Sequence, residues 1–188
     1  MAVFPVILDS CVLYPMYVRD TLLYAAYRGL YRPHWSEEIL DGAFRNLLQN
    51  NERMTPAKVE RIKRQMQRSF PEAMVVVTER LLPCMDNDKG DRHVLAAALI
   101  AKAHVIVTNN LKHFPPSALE PLNVTAQSAD DFLLSLLDLS PIEMLDSLQQ
   151  QAAAKNNPKL EVPDLLSRLE GQVPKFVAIA RRSWNQSL

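Results

Sequence analysis

The sequence predicts an α/β protein built on a parallel sheet of four or five strands, and three observations carry that expectation. Short apolar runs rich in β-branched residues stand at Val3–Leu8, Ala73–Val77 and Val105–Thr108, the pattern of strands buried on both faces. The intervals between them are long enough for crossovers and carry helical spacing, as a doubly wound sheet requires. The first and third runs end in polar residues, Asp9-Ser10 and Asn109-Asn110, at what would be the carboxyl edge of the sheet, where α/β proteins place their sites.

Each element follows in turn. Val3–Leu8 is the first strand. After Pro15, Leu22, Leu23, Ala26 and Tyr27 recur at helical spacing within Asp20–Gly29, and Gly29 supplies the stop. Ser36 is placed to cap a second helix, with Glu37 and Glu38 in its first turn and Ile39, Leu40, Ala43, Leu47 and Leu48 as its inward stripe. Thr55-Pro56 opens a third, reaching Arg68, with Val59, Ile62 and Met66 on one face and Arg61, Arg64 and Arg68 on the other. Asp91–Ala103 is apolar almost all round and predicts a buried helix, and Leu122–Thr125 predicts an edge strand. From Ala129 onward the pattern is helical throughout, interrupted at Ser140-Pro141, Asn157-Pro158, Val162-Pro163 and Val173-Pro174. The expected organisation is an α/β domain over residues 1–130 and a helical extension over 131–188.

Composition narrows the classes. The chain has 188 residues, 48% hydrophobic and 22% charged, with 21 basic against 21 acidic side chains, which excludes disordered, fibrous and membrane-spanning compositions. The even balance argues against a large duplex-binding surface, though not against a local basic strip. The two cysteines, Cys11 and Cys84, sit among bulky apolar residues and are expected as thiols rather than a disulfide framework. Met1–Leu8 is too short for a signal-peptide core and has no basic flank, so the expected location is cytoplasmic, with no membrane association.

A lone carboxylate such as Asp9 at a strand end can simply cap a turn. Its company changes the reading. In Asp86-Asn87-Asp88-Lys89-Gly90-Asp91-Arg92-His93, three carboxylates crowd in front of the buried helix, where they repel one another unless solvent, basic neighbours or a metal ion compensates. Asp91 has an alternative role as the helix cap. Thr108, Asn109 and Asn110 would emerge beside Asp9 at the end of a neighbouring strand and offer the oxygen donors a hard cation takes. His93 and His113 are candidate bases, yet a histidine beside an apolar helix is more often structural. Arg61, Arg64 and Arg68, with Arg45 and Lys112, offer a basic strip for single-stranded RNA, or only a solvated face.

Four motifs in order carry a family resemblance: Ile7-Leu8-Asp9-Ser10-Cys11-Val12-Leu13-Tyr14-Pro15, Trp35-Ser36-Glu37-Glu38-Ile39-Leu40, Asp88-Lys89-Gly90-Asp91-Arg92-His93-Val94-Leu95-Ala96-Ala97-Ala98, and Val105-Ile106-Val107-Thr108-Asn109-Asn110-Leu111-Lys112-His113-Phe114-Pro115. The chain resembles the PIN-domain nucleases over residues 3 to 130, specifically the VapC-type toxins of type II toxin-antitoxin systems, and the tail is similar to the extension of a longer subgroup. That resemblance implies a three-layer α/β/α fold and a Mg²⁺- or Mn²⁺-dependent endoribonuclease. It implies Asp9, Asp88 and Asp91 as metal ligands and Asn110 as a further polar ligand. It also implies silencing by a cognate antitoxin, a small DNA-binding protein, and admits a homodimer.

One position departs from the family pattern. The catalytic Glu expected six residues after Ser36 is replaced by Gly42. Glu38 lies four residues earlier, one turn away on the same helical face, and is the candidate substitute; Asp41 points about 100° aside. The alternative is therefore a PIN-fold protein that binds RNA, metal or a partner without efficient cleavage. Other chemistries fit worse. An aspartyl phosphatase needs a second Asp where Cys11 stands, a thiol-phosphatase loop needs Arg six positions after its Cys, and the four His and two Cys offer no zinc-site spacing.

Overall fold

The computed structural model describes residues 3–156 and 158–187, so the helix break expected at Asn157 lies outside the described residues. In chain order the elements are β1 (Pro5–Leu8), α1 (Ser10–Leu13), α2 (Met16–Tyr27), β2 (Arg32–Ser36), α3 (Glu37–Asn50), α4 (Pro56–Ser69), β3 (Met74–Val75), α5 (Arg92–Ala101), β4 (Val105–Val107), α6 (Pro116–Leu119), β5 (Thr125–Gln127), α7 (Ala129–Leu139), α8 (Pro141–Ala153), α9 (Val162–Leu169) and α10 (Pro174–Ser187). The five strands form one parallel sheet in the order β3-β2-β1-β4-β5, so the α/β class and the strand number are as the sequence predicts.

The order reverses between β1 and β4, which pair side by side, with Leu8 opposite Val107. A crevice outside the carboxyl ends of such a pair is the usual ligand position in an open α/β sheet. A crossover helix returns antiparallel to the strands, so α5 presents its N-terminus at that same edge. Val94–Ala98 of α5 are completely buried, as the all-round apolar pattern requires.

The structure adds one strand to those expected and corrects two. The addition is β2, whose Arg32-Pro33-His34 has low strand propensity. It forms because Arg32–His34 pair with β1 while Trp35–Ser36 pair with β3, leaving Pro33 without a β3 partner to supply with an N–H. The Ala73–Val77 run narrows to Met74–Val75, with Val76 turned out to solvent, a short edge that offers little to pair with. The last strand starts at Thr125 rather than Leu122, because Asn123 adopts a left-handed φ of 54° that closes the preceding turn. Helix positions hold to within a few residues: Ser36 Oγ accepts from Ile39 N and caps α3, Thr55 Oγ1 accepts from Lys58 N and caps α4, and Gly29 takes φ 79° just past α2.

The chain separates into two compact units. One holds the residues up to Tyr14 together with Arg32–Gln127; the other holds Pro15–Tyr31 and the chain from Ser128. The second segment of the first unit ends at Gln127, and α2 groups with the tail helices in the other unit. Its attachment there is specific. Thr21 Oγ1 and Gln151 Oε1, both fully buried, hydrogen-bond at 2.9 Å, and Gln151 Nε2 donates to the Tyr17 carbonyl at 3.2 Å. Asp130 accepts from the backbone N–H groups of Lys175 and Phe176 and so caps α10 from a neighbouring helix. Leu133, Leu165, Leu166, Leu169, Phe176 and Val177 form the core of this unit; each contributes roughly 1.5–3 kcal/mol by leaving water.

Candidate metal centre

Asp9 stands just beyond β1 and is almost wholly buried. Its Oδ1 accepts from Ser10 N at 2.6 Å and Ser10 Oγ at 3.2 Å; its Oδ2 accepts from Thr108 Oγ1 at 2.6 Å and Cys11 Sγ at 3.2 Å. A carboxylate offers about four lone-pair sites, so these four donors saturate it. Thr108, at the end of β4, in turn accepts from Asn110 N at 3.0 Å, tying Asn110 to the same corner. The expected meeting of the two strand ends is therefore direct. Cys11 is drawn into it: burial first, and then the charge of Asp9, pushes its thiol from an ordinary 9.0 to about 12.

The loop before α5 carries the second set of groups. Asp88 Oδ1 accepts from Gly90 N at 3.0 Å, which shapes the turn that delivers Asp91 to the helix start. Asp91 makes no side-chain cap bond to α5. Its Oδ2 lies 2.6 Å from His113 Nδ1 instead. The Asp88 N–H donates to the His113 carbonyl at 3.2 Å, fastening this loop to the one after β4. One potential ligand atom each from Asp88, Asp91 and His113 lie within 4.8 Å of one another, a group among the described residues that could hold a metal ion. That donor set suits a divalent cation. Asp9 is not part of the group, and Asp86 is not drawn in.

The remaining site candidates are placed as follows. Glu38, in the first turn of α3, has its Oε1 3.8 Å from His93 Nδ1, two residues past Asp91 on α5; this is an electrostatic approach rather than a hydrogen bond. Asp41 is taken up by Lys63 at 2.6 Å, which also holds Glu37 at 2.7 Å. Gly42 faces α1: a Cβ there would lie 3.2 Å from Ser10 Cβ and 3.5 Å from Ser10 Oγ. The position is thus aimed at the residue beside Asp9, in a gap slightly too narrow for a side chain without a small shift of α1 or α3. Arg61, Arg64 and Arg68 are exposed on α4, and Arg64 Nε lies 3.6 Å from Glu60. Sequence reasoning weighed His113 as a base and missed it as a possible ligand; its signal was its place three residues after Asn110 in the polar run that ends β4.

A parallel sheet with its reversal point beside Asp9, and an acidic helix start facing the loop after β4, defines a known class. This chain belongs to the PIN-domain family, whose profile matches residues 5–112. Residues 129–182 match a second family, the VapC50 C-terminal domain. Over 102 residues the chain is 46% identical to "Putative ribonuclease VapC50" of Mycobacterium tuberculosis (strain ATCC 25618 / H37Rv), a match covering 54% of this chain and 60% of that relative. No solved structure matches the chain.

Proposed function

We propose that the chain is a metal-dependent endoribonuclease of VapC type that cuts RNA phosphodiester bonds. The observation that carries the reading is the convergence of Asp88, Asp91 and His113 at the carboxyl edge of a PIN-domain sheet. The name of the mycobacterial relative supports the reaction class.

In this reading Asp91 and Asp88 hold the ion, Mg²⁺ or Mn²⁺, with Asn110 supplying an amide oxygen. Asp9 joins them by exchanging its weaker donors, Ser10 Oγ and Cys11 Sγ at 3.2 Å, while Thr108 and Ser10 N keep its orientation. The ion, when bound, neutralises the scissile phosphate and lowers the pKa of an attacking water. Glu38, exposed on α3 with its Oε1 3.8 Å from His93 Nδ1 near the start of α5, takes the place of the missing acid. Arg61, Arg64 and Arg68 hold the RNA backbone by charge. The partner is a cognate antitoxin, a small DNA-binding protein; a homodimer is compatible. The protein acts in the cytoplasm, and among the described residues no helix is long and apolar enough to cross a membrane.

Incubating the full chain with end-labelled RNA in MnCl2, in MgCl2 and in EDTA tests the proposal. Cleavage that needs the metal and is lost in Asp9→Asn supports it; metal-independent cleavage rejects it.

The Gly42 geometry favours a second reading, in which the fold binds RNA or a partner with little cleavage. Gly42→Glu separates the two. A large gain in metal-dependent cleavage over a nearly silent parent supports the second reading, whereas equal, vigorous cleavage before and after rules it out.

A further inference from the structure

We infer that His113 makes this centre a mixed nitrogen and oxygen site that takes a first-row transition ion, Mn²⁺ or Zn²⁺, in preference to Mg²⁺. The inference rests on reading the Asp88, Asp91 and His113 cluster as a metal site, and goes further by assigning the imidazole a part in choosing the ion.

Three features support it. The donors are two carboxylates and one imidazole, with ligand atoms within 4.8 Å. Mg²⁺ holds its waters tightly and prefers oxygen, whereas imidazole nitrogen suits the borderline ions. Their affinity for a given N/O site rises from Mn²⁺ to Zn²⁺. The imidazole is also held in place before any ion arrives. The Asp88 N–H to His113 carbonyl bond at 3.2 Å fixes the backbone, and the approach of Nδ1 to Asp91 Oδ2 at 2.6 Å orients the ring. Nδ1 and Asp91 Oδ2 already stand side by side, so an ion taken by both displaces the proton between them. His113 is half-buried, so it is accessible to an ion without being freely solvated.

An independent sign of unmet polar demand lies in the same segment. Asn87, directly before Asp88, is 5% exposed, yet neither Nδ2 nor Oδ1 has a partner among the described residues. Arg92 Nε, directly after Asp91, is buried in the same condition. Polar atoms at that depth are normally satisfied by protein, by water or by the hydration shell of a bound ion. Asn87 and Arg92 flank the two carboxylates in sequence, and the waters of a bound ion would supply partners of the kind these three atoms lack.

The alternative is an ordinary Asp–His pair that closes the loop after β4. The two differ in what metal titration reads. MnCl2 is titrated into the full chain and free Mn²⁺ followed by electron paramagnetic resonance, with MgCl2 and ZnCl2 as competitors. The variants are His113→Ala and His113→Gln, the latter keeping a hydrogen-bonding group should the former unfold. The unaltered chain is expected to favour Mn²⁺ over Mg²⁺ by roughly tenfold or more, with Zn²⁺ displacing Mn²⁺. Both variants are expected to weaken Mn²⁺ binding roughly tenfold or more and to change Mg²⁺ binding far less. In the unaltered chain, Mn²⁺ should broaden the His113 ring resonances at substoichiometric amounts, a readout that needs no variant.

If both ions bind, Asp91→Asn abolishes them, and the His113 variants leave their ratio unchanged, the inference is overturned while the metal-site reading stands. If neither ion binds the unaltered chain at millimolar concentration, both fall.

Discussion

Asp9 and Thr108 make the pair on which the geometry of the strand ends depends. Removing the hydroxyl in Thr108→Ala leaves a buried carboxylate oxygen without its shortest side-chain donor. We expect a loss of about 1–3 kcal/mol in urea denaturation, larger than for an exposed hydroxyl elsewhere. The neighbouring thiol gives a chemical readout. Cys11, raised to about 12, should resist iodoacetamide at pH 8 in the native chain while the exposed Cys84 reacts, as peptide mass mapping would show. Equal labelling of both would contradict the burial. The same shift makes stability depend on pH. The unfolded chain releases the Cys11 proton above about pH 9, whereas the native chain holds it until about 12. The unfolded state therefore binds fewer protons across that window, and stability is full below pH 9 and falls as pH rises toward 12. Cys11→Ser should flatten the alkaline fall. At this scale the sequence made Asp9, Asp88 and Asp91 conspicuous because carboxylates before a helix or after a strand stand out. Thr108 and His113 were harder to assign because their roles depend on which atom lies 2.6 Å away, and that is a tertiary fact.

Among the elements, α5 and α2 show what periodicity can and cannot tell. The buried α5 was legible in Val94–Ala98, since no other arrangement hides so unbroken an apolar run. Its end carries a testable strain. Lys102 closes α5 at φ 53°, where a residue with a Cβ is disfavoured, so Lys102→Gly should raise stability by about 1 kcal/mol in calorimetry. An unchanged or lowered melting temperature would mean that Lys102 makes a compensating contact. α2 was legible as a helix but not as a partner of the tail. Its stripe says that one face is buried, not against what; the Thr21–Gln151 bond is the deciding contact. Gln151→Ala should cost about 1–3 kcal/mol by removing the buried amide's bonds to Thr21 and the Tyr17 carbonyl, the Thr21 hydroxyl keeping that carbonyl as its acceptor, and by exchanging a filled site for a void. β2 was illegible for a different reason. Proline in a strand is normally evidence against one, and only the two-residue length of β3 makes room for it.

Across the molecule, Gly42 is the departure from the family pattern with most consequence. The narrow gap between Gly42 and Ser10 explains how α3 and α1 approach, and it aims the position of the absent carboxylate at Ser10, the residue after Asp9. Metal held by Asp88, Asp91 and His113 also predicts a linkage. MnCl2 at about 100 times its dissociation constant should stabilise the fold by roughly 2.7 kcal/mol, and EDTA should remove that gain. The most direct measurement is the single-turnover cleavage rate of a labelled RNA by the full chain in MnCl2, compared with that of Asp91→Asn under the same conditions. The account predicts cleavage that EDTA abolishes and a fall of roughly a hundredfold or more in the variant, the scale on which removal of a group acting on the transition state is felt. Equal rates for the two proteins would contradict it and place any nuclease activity elsewhere on the chain.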